Sequence, residues 1–366
     1  MPHIVLKDIC KTYGKVQAID HVNLEIYDGE YLTMLGPSGC GKTTTLRAIA
    51  GLIQLDSGEI LFDGKNIVDL PPNERDIGMV FQHFEIFPHI DVWDNVTYSA
   101  RVKGKSSDRI EALGETALTL VGMLHRANSY PDELSGPELQ KIGIARAIAT
   151  ESKLLLLDEP LGTLDLKIRM EFQHELRKLV KKLKLTAIHV THDQIEAMNI
   201  SDRIAIMRKG HIYQVDSPMN LYYHPNCIFV CNFLSNSNFL EAYIDRIQED
   251  HSVVRLRGFG PKLQIPETLW HLRQRVLLAI RKNEVGFGNI FDPERNVLNA
   301  TVVKRLFLGP KTIFQLRLEN EDLFEAEIMT KDIPPDLNTE VQIHFDKKKI
   351  MVFEYPDNLD YELALE

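Results

Sequence analysis

Cysteine is scarce in this 366-residue chain, with four in all, and tryptophan scarcer, with two. Cys10, Cys40, Cys227 and Cys231 are too few and too scattered for a disulfide framework. The Cys227/Cys231 pair, even with His224 nearby, lacks a second ligand pair at zinc-finger spacing and reads as thiols on one helical face. No uninterrupted apolar stretch reaches the ~18–20 residues that a membrane-spanning helix needs. The opening residues Met1-Pro2-His3-Ile4-Val5 lack the basic and long apolar regions of a secretory signal, which predicts a cytosolic home. Positive charge is not in excess either. There are 42 Lys+Arg against 52 Asp+Glu, a net −10, and from Asn236 onward 17 basic residues face 22 acidic ones. A basic tail or arm for gripping nucleic acid through its phosphates is therefore not apparent. Tandem repeats of 20–50 residues and low-complexity segments are also missing. What is present, 44% hydrophobic and 26% charged residues, is the composition of a globular protein long enough for two or three domains.

From Ile4 to about Leu234 the pattern is mixed α/β. Tyr31 to Leu35, Leu154 to Leu157, Ala187 to Val190 and Arg203 to Met207 have the length of strands. The first three each run into a polar or glycine-rich turn and then a helical pattern, as expected for a largely parallel sheet buried on both faces. Between Leu166 and Lys184 the residues Phe172, Leu176, Leu179, Val180 and Leu183 recur at helical spacing. The stretch from about Asp91 to Val121 is poor in strand signals and is expected to be helical. After about Phe239 the texture changes to period-two alternation in eight short runs, from Phe239–Ile244 to Ile350–Phe353, parted by Gly, Pro, Asn and Asp. These predict a small β-barrel-like second domain, with the boundary near Ser235 to Asn238. The expected domains are 1–235, with a helical subdomain over about 83–150, and 236–366.

Gly36-Pro37-Ser38-Gly39-Cys40-Gly41-Lys42-Thr43 fits the phosphate-loop pattern and lies between a strand ending at Leu35 and a helical run from Thr44 to Ala50. Glycines let successive backbone N–H groups and a helix N-terminus converge on an anion. Lys42 would reach the β and γ phosphates, and the Thr43 hydroxyl would bind Mg²⁺. An ordinary glycine-rich turn would not need all eight positions in this strand-to-helix setting. Leu154-Leu155-Leu156-Leu157-Asp158-Glu159 places two carboxylates at the C-terminal end of a buried strand, where ligands sit in open α/β sheets. Alone it would be a strand entering a turn. Beside a phosphate loop, Asp158 is the candidate Mg²⁺ holder and Glu159 the candidate base for water. His192 follows another apolar strand and is the candidate γ-phosphate contact; among 13 histidines, only its position distinguishes it.

Taken in order, the phosphate loop, Phe81-Gln82, Leu134-Ser135-Gly136, Leu157-Asp158-Glu159-Pro160, Leu164-Asp165 and Thr191-His192-Asp193 resemble the nucleotide-binding subunits of ATP-binding-cassette (ABC) transporters. The resemblance covers essentially the whole chain. It implies an α/β P-loop ATPase with a helical subdomain, followed by a small barrel of the oligonucleotide/oligosaccharide-binding, TOBE-like kind. Residue by residue it implies that Tyr13 stacks on adenine, that the phosphate loop and Thr44 hold the phosphates, and that Gln82 senses Mg²⁺ and the membrane partner. It further implies that Ser135 and Gly136 close over the opposite subunit's ATP and that Asp165 crosses the dimer interface. Glu159 would be the catalytic base and His192 the switch histidine, acting with Lys42 and Gln82. ATP with Mg²⁺, a homodimer, integral-membrane permeases on the cytoplasmic side of the inner membrane and an extracytoplasmic solute-binding protein follow from the resemblance; nucleic acid does not. Gly78-Met79-Val80-Phe81-Gln82, Phe87-Pro88-His89 and the barrel-like tail look like the subfamily that imports sugars, polyamines, ferric iron or sulfate. Solute choice there belongs to the permeases and the external binding protein.

The signature segment departs from the family. It reads Leu134-Ser135-Gly136-Pro137-Glu138 where the family usually has Leu-Ser-Gly-Gly-Gln. Pro137 lacks the N–H that the second glycine would offer to the facing γ-phosphate, and Glu138 adds negative charge beside a polyanion. Both residues also suit the first turn of a helix, expected over Glu138 to Thr150. Ala279-Ile280-Arg281-Lys282 likewise stands where many relatives carry Arg-Pro. Two other functions compete with an importer ATPase: a soluble cassette ATPase of translation or DNA repair, and a degenerate regulator that binds ATP with weak hydrolysis. The first usually needs two cassettes or a coiled-coil insertion, and this chain has one phosphate loop and no sustained heptads.

Overall fold

The computed structural model describes residues 3–82, 85–162, 166–258, 260–266, 270–288, 291–329 and 335–365, without the side chains of 166–168. The chain divides into two compact units, Met1–His224 and Pro225–Leu365. This division lies ahead of the break expected near Ser235. The intervening helix Ile228–Ser235 buries Ile228, Phe229, Val230, Cys231 and Phe233, and it belongs to the second unit.

Among the described residues, ten strands shape the first unit: β1 Ile4–Tyr13, β2 Val16–Ile26, β3 Tyr31–Leu35, β4 Ser57–Phe62, β5 Lys65–Asn66, β6 Ile77–Val80, β7 Leu154–Asp158, β8 Thr186–Thr191, β9 Arg203–Arg208 and β10 His211–Asp216. Six of them form a sheet in the order β10-β9-β3-β8-β7-β6, parallel except for the β9–β10 hairpin, and four form an antiparallel sheet, β2-β1-β4-β5. The continuous apolar reading of the central strands has a direct cause. Along β7, Leu154 and Leu156 enter one core, shared with the antiparallel sheet and helix α1 (Lys42–Ala50), while Leu155 and Leu157 enter a second on the other face. Side chains alternate across a strand, so a sheet covered on both faces shows no alternation of polarity. Helices α2 (Val92–Val102), α3 (Ser107–Leu120) and α4 (Gly136–Ile148) bury Val92, Val96, Ala117, Leu118, Ile142 and Ala145 in a third cluster, the helical subdomain. Helix α5 (Leu166–Lys182) fills the expected amphipathic stretch, and α6 (Gln194–Ile200) follows β8.

Among the described residues, the second unit holds two five-stranded antiparallel sheets around a core that takes Leu240, Ala242 and Ile244 from one sheet and Val302, Phe314 and Ile343 from the other. All eight runs of period-two alternation lie on strands of these sheets.

One buried cation holds the region behind the phosphate loop together. Arg75 is 5% exposed. Its Nη1 donates to the Ala48 and Ile49 carbonyls at 2.8 and 2.9 Å, its Nε to Leu70 at 2.8 Å and its Nη2 to Val68 at 2.7 Å. The guanidinium thus satisfies carbonyls at the C-terminal end of α1, where the helix dipole favours positive charge. Burial pulls its pKa below the ordinary value, with Asp69 opposing. Replacing Arg75 by Met should leave four carbonyls without this donor and cost about 2–4 kcal/mol, read as a lower denaturation midpoint of the first unit.

Candidate functional site

The phosphate loop is shaped by close approaches. β3 is buried along its full length and delivers the chain to Gly36, where a Cβ would lie 2.2 Å from the Met207 carbonyl oxygen. At Gly41, with φ of 107°, a Cβ would lie 2.2 Å from the carbonyl oxygen of Ala18. Only glycine fits either place. Gly39 has φ of 76°, and it and Ser38 are exposed at the tip of the loop. The Lys42 side chain folds back into the loop, donating to the Gly36 and Pro37 carbonyls at 2.8 Å each. Helix α1 has no acidic residue in its first turn to offset its N-terminal dipole. Thr43 and Thr44, in that turn, are half-buried. Cys40 is buried, and burial pushes its thiol pKa up, so it packs as an uncharged side chain. Tyr13 stands half exposed at the end of β1, with Lys11 Nζ 5.5 Å from its ring centre.

Strand register assembles the rest. β6 and β7 run parallel with Val80 beside Leu157, and β7 and β8 run parallel with Asp158 beside Val190. Gln82 and Glu159 each lie two places beyond the paired Val80 and Leu157, and His192 lies two beyond Val190, so the three meet at one edge. Gln82 Nε2 donates to Glu159 Oε2 at 3.0 Å, and His192 Nδ1 lies 3.4 Å from Glu159 Oε1. The Glu159 backbone is left-handed at φ of 46° and is held by its N–H donating to the Val190 carbonyl at 3.0 Å. Such a backbone is costly for a non-glycine residue and persists where the surroundings impose it. Asp158 is 2% exposed and accepts the Thr43 hydroxyl at 2.9 Å. Burial pushes its carboxyl pKa up, opposed by the Thr43 bond and by Arg47 at 3.9 Å.

Ser135 and Gly136 are exposed at the N-terminus of α4. Among the described residues no hydrogen bond joins them to the phosphate loop of the same chain. The unusual Pro137 and Glu138 have a local role. Ser135 is the N-cap, Pro137 lies in the first turn where its missing N–H costs nothing, and Glu138 closes a capping box. Glu138 Oε2 accepts the Ser135 N–H at 2.9 Å and the Ser135 hydroxyl at 2.7 Å, and Arg126 Nε lies 3.5 Å from its other oxygen. Asp165 lies outside the described residues.

Sequence reasoning passed over a buried polar group beneath this edge. The Tyr31 hydroxyl is 3.0 Å from His189 Nδ1, His189 Nε2 is 3.2 Å from Glu196 Oε1, and Thr191 Oγ1 donates to Glu196 Oε2 at 2.7 Å. Tyr31 and His189 are fully buried. The group ties β3, β8 and α6 together through Thr191, the residue before His192. A histidine inside an otherwise apolar strand run was the available signal.

A phosphate-binding loop on a parallel sheet, with acidic and amide side chains converging at the adjacent strand ends, defines a nucleotide-binding ATPase of the P-loop class. Residues 19–162 match the ABC transporter family and residues 278–353 the TOBE domain. The spermidine/putrescine import ATP-binding protein PotA of Thermotoga maritima is 36% identical over 319 residues, covering 86% of this chain and 87% of its own. PotA of Clostridioides difficile is 40% identical over 306 residues, covering 84% and 86%. The trehalose/maltose import ATP-binding protein MalK of Thermococcus litoralis is 35% identical over 369 residues, covering 97% and 98%. A dimeric, post-hydrolysis structure of the ATP-binding cassette MJ0796 bound to ADP and Pi aligns with a TM-score of 0.54 and 31% identity, covering 59% of this chain and 98% of that one. The chain belongs to the import ATP-binding proteins of the ABC transporter family.

The capping box carries a pH signature. The Ser135 N–H, then its hydroxyl, then Arg126 hold the Glu138 carboxyl below the ordinary carboxylate range. With a lowered folded-state value, this stabilisation is complete above the ordinary glutamate pKa and is lost as pH falls through the lowered one. Glu138→Gln should remove that acid dependence, and Glu138→Ala should cost about 0.5–1 kcal/mol of stability, both measured by denaturation between neutral and acid pH.

Proposed function

We propose that this chain binds and hydrolyses MgATP as the ATP-binding subunit of an ABC importer, working as a homodimer beneath membrane permeases. The observation that carries the reading is the Glu159 carboxylate set between the Gln82 amide and the His192 imidazole, one residue from the Asp158–Thr43 pair. The loop amides, the N-terminus of α1 and Lys42 would bind the phosphates, and Tyr13 would stack on the base. Thr43 and Asp158 suit Mg²⁺, since both offer hard oxygen donors and a buried carboxylate gains from a cation beside it. Held by Thr43 and Asp158, such an ion would supply neutralisation of phosphate charge. Glu159 orients water and takes its proton as the oxygen attacks the γ-phosphorus and the bond to the β-phosphate oxygen breaks, and His192 contacts the γ-phosphate. No covalent intermediate is needed.

The facing subunit would complete each site with Ser135 and Gly136, and Asp165 would lie across the interface. Because Pro137 brings no N–H, each site closes with one donor fewer than the family pattern. A cleft of about 540 Å³ beside Gln82, lined by Phe81, Ile86, Phe87, Tyr98 and Arg146, fits a short permease helix. The chain would thus sit at the cytoplasmic face of the membrane, with an extracytoplasmic solute-binding protein feeding the permeases. No helix among the described residues is long and apolar enough to cross a membrane.

Glu159→Gln should lower ATP turnover by about 10²-fold or more while leaving ATP binding in place, as measured by single-turnover hydrolysis beside equilibrium nucleotide binding. Turnover unchanged by that substitution would remove Glu159 as the base, and failure to co-purify with integral-membrane permeases would favour a soluble cassette protein. Pro137→Gly should restore a phosphate donor and raise turnover in the assembled transporter. The size of the gain is bounded by the roughly 10²- to 10³-fold worth of one donor to transition-state charge.

A further inference from the structure

A second cluster of chemistry-bearing side chains lies on the β1–β2 hairpin, apart from the catalytic edge. Ile9 pairs with Val22 and Lys11 with Ile19, so the single residue Cys10 faces two residues, Asp20 and His21, across a bulge. His21 and, one strand over, Asp8 have left-handed backbones, with φ of 48° and 51°. Ligand atoms of Cys10, Asp20 and His21 all lie within 4.8 Å of one another. These are a sulfur, a carboxylate oxygen and an imidazole nitrogen, the donor set of a borderline-soft divalent metal.

The surroundings are those of a metal site. His21 Nδ1 is hydrogen-bonded to Asp8 Oδ1 at 2.7 Å, which leaves Nε2 facing Asp20 Oδ1 at 3.8 Å. An imidazole that gives one nitrogen to a carboxylate and offers the other as ligand is the usual outer-sphere arrangement around protein-bound zinc. Asp20 is held on both oxygens, by Gln17 Nε2 at 2.6 Å and by His211 Nε2 at 2.9 Å. Cys10 is buried, with its sulfur 3.3 Å from the His21 N–H. Asp20 N–H donates to the Gly210 carbonyl, and Gly210 N–H donates to the Cys40 carbonyl, each at 3.0 Å, so two hydrogen bonds link the cluster to the phosphate loop.

We propose that Cys10, Asp20 and His21 form a site for a zinc-class divalent transition-metal ion, with Asp8 and His211 orienting the ligands and the fourth position open to water. Coordination replaces the thiol proton of Cys10, which is released to solvent. The ion cross-links β1 to β2 at the bulge.

The test uses the full chain, stripped with chelator and kept reduced, without nucleotide. Zinc(II) alone should bind with one tight equivalent by calorimetry and raise the thermal unfolding midpoint. Cobalt(II) should give a thiolate-to-metal charge-transfer band in the near ultraviolet. Cys10→Ser should abolish the band, whereas Cys227→Ser and Cys231→Ser should keep it. His21→Asn, which tolerates the left-handed backbone, should weaken zinc binding at least as much as Asp8→Asn, for which about 10- to 100-fold is expected. His21 and Asp8 are exposed, so these two variants carry the test even if Cys10→Ser fails to fold. The absence of a saturable equivalent at micromolar zinc, or an equivalent that His21→Asn and Asp8→Asn leave untouched, overturns the proposal.

Discussion

The hydrogen bond from the Thr43 hydroxyl to the Asp158 carboxylate is the joint on which the cassette depends. It connects the first turn of α1, and so the phosphate loop, to the end of β7, and so to every group that follows that strand. Asp158 is almost wholly buried, and a carboxylate taken out of water needs compensation. A neutral hydroxyl and an Arg47 guanidinium 3.9 Å away supply part of it. The raised pKa of Asp158 records the remainder as a preference for a cation or a proton at this position. The same burial that makes the site expensive to the fold makes it receptive to a divalent ion.

Parallel register then turns one strand end into three. Because Val80, Leu157 and His189 lie abreast on β6, β7 and β8, the residues that follow them arrive abreast as well. Gln82 and His192 converge on Glu159 without any loop having to find its own way there. The left-handed backbone of Glu159 is the cost of the arrangement. The Val190 carbonyl and the buried Tyr31–His189–Glu196 group beneath keep the neighbouring strand end fixed. Rigid strands deliver the site and short turns finish it, which is how small displacements are avoided where hydrogen-bond distances matter.

Sequence patterns carried the sheet, the phosphate loop, the amphipathic α5 and the eight alternating runs of the second unit, because each has a strong period or an unbroken apolar run. They did not carry β2 and β4, whose pairing with β1 is broken by bulges, since a register shift exchanges inward and outward faces. Lys262–Pro266 escaped notice as a short edge strand flanked by prolines, although Leu263 and Ile265 are buried. Within the site, Lys42, Thr43, Asp158 and Glu159 could be argued from residue type and position. Tyr13 and Gln82 could not, because a loop aromatic and a loop amide acquire meaning only from what stands opposite them. The same limit hid Cys10, Asp20 and His21: nine residues of hairpin separate Cys10 from Asp20 in the chain, and only the bulge brings them face to face.

The signature segment sets a local gain against a functional loss, and magnitudes decide between them. A capping box contributes about 1 kcal/mol, whereas one donor to transition-state charge is worth roughly 3–4 kcal/mol. Helix stability alone is therefore a poor reason to give up the glycine N–H at position 137. Glu138 deepens the imbalance, because its carboxylate already holds both the N–H and the hydroxyl of Ser135. In the proposed homodimer, a phosphate approaching from the facing subunit would have to win that hydroxyl from a carboxylate that repels it, with Arg126 offsetting part of the charge. Closure over ATP in that homodimer would therefore begin by opening the capping box that Glu138 makes with Ser135.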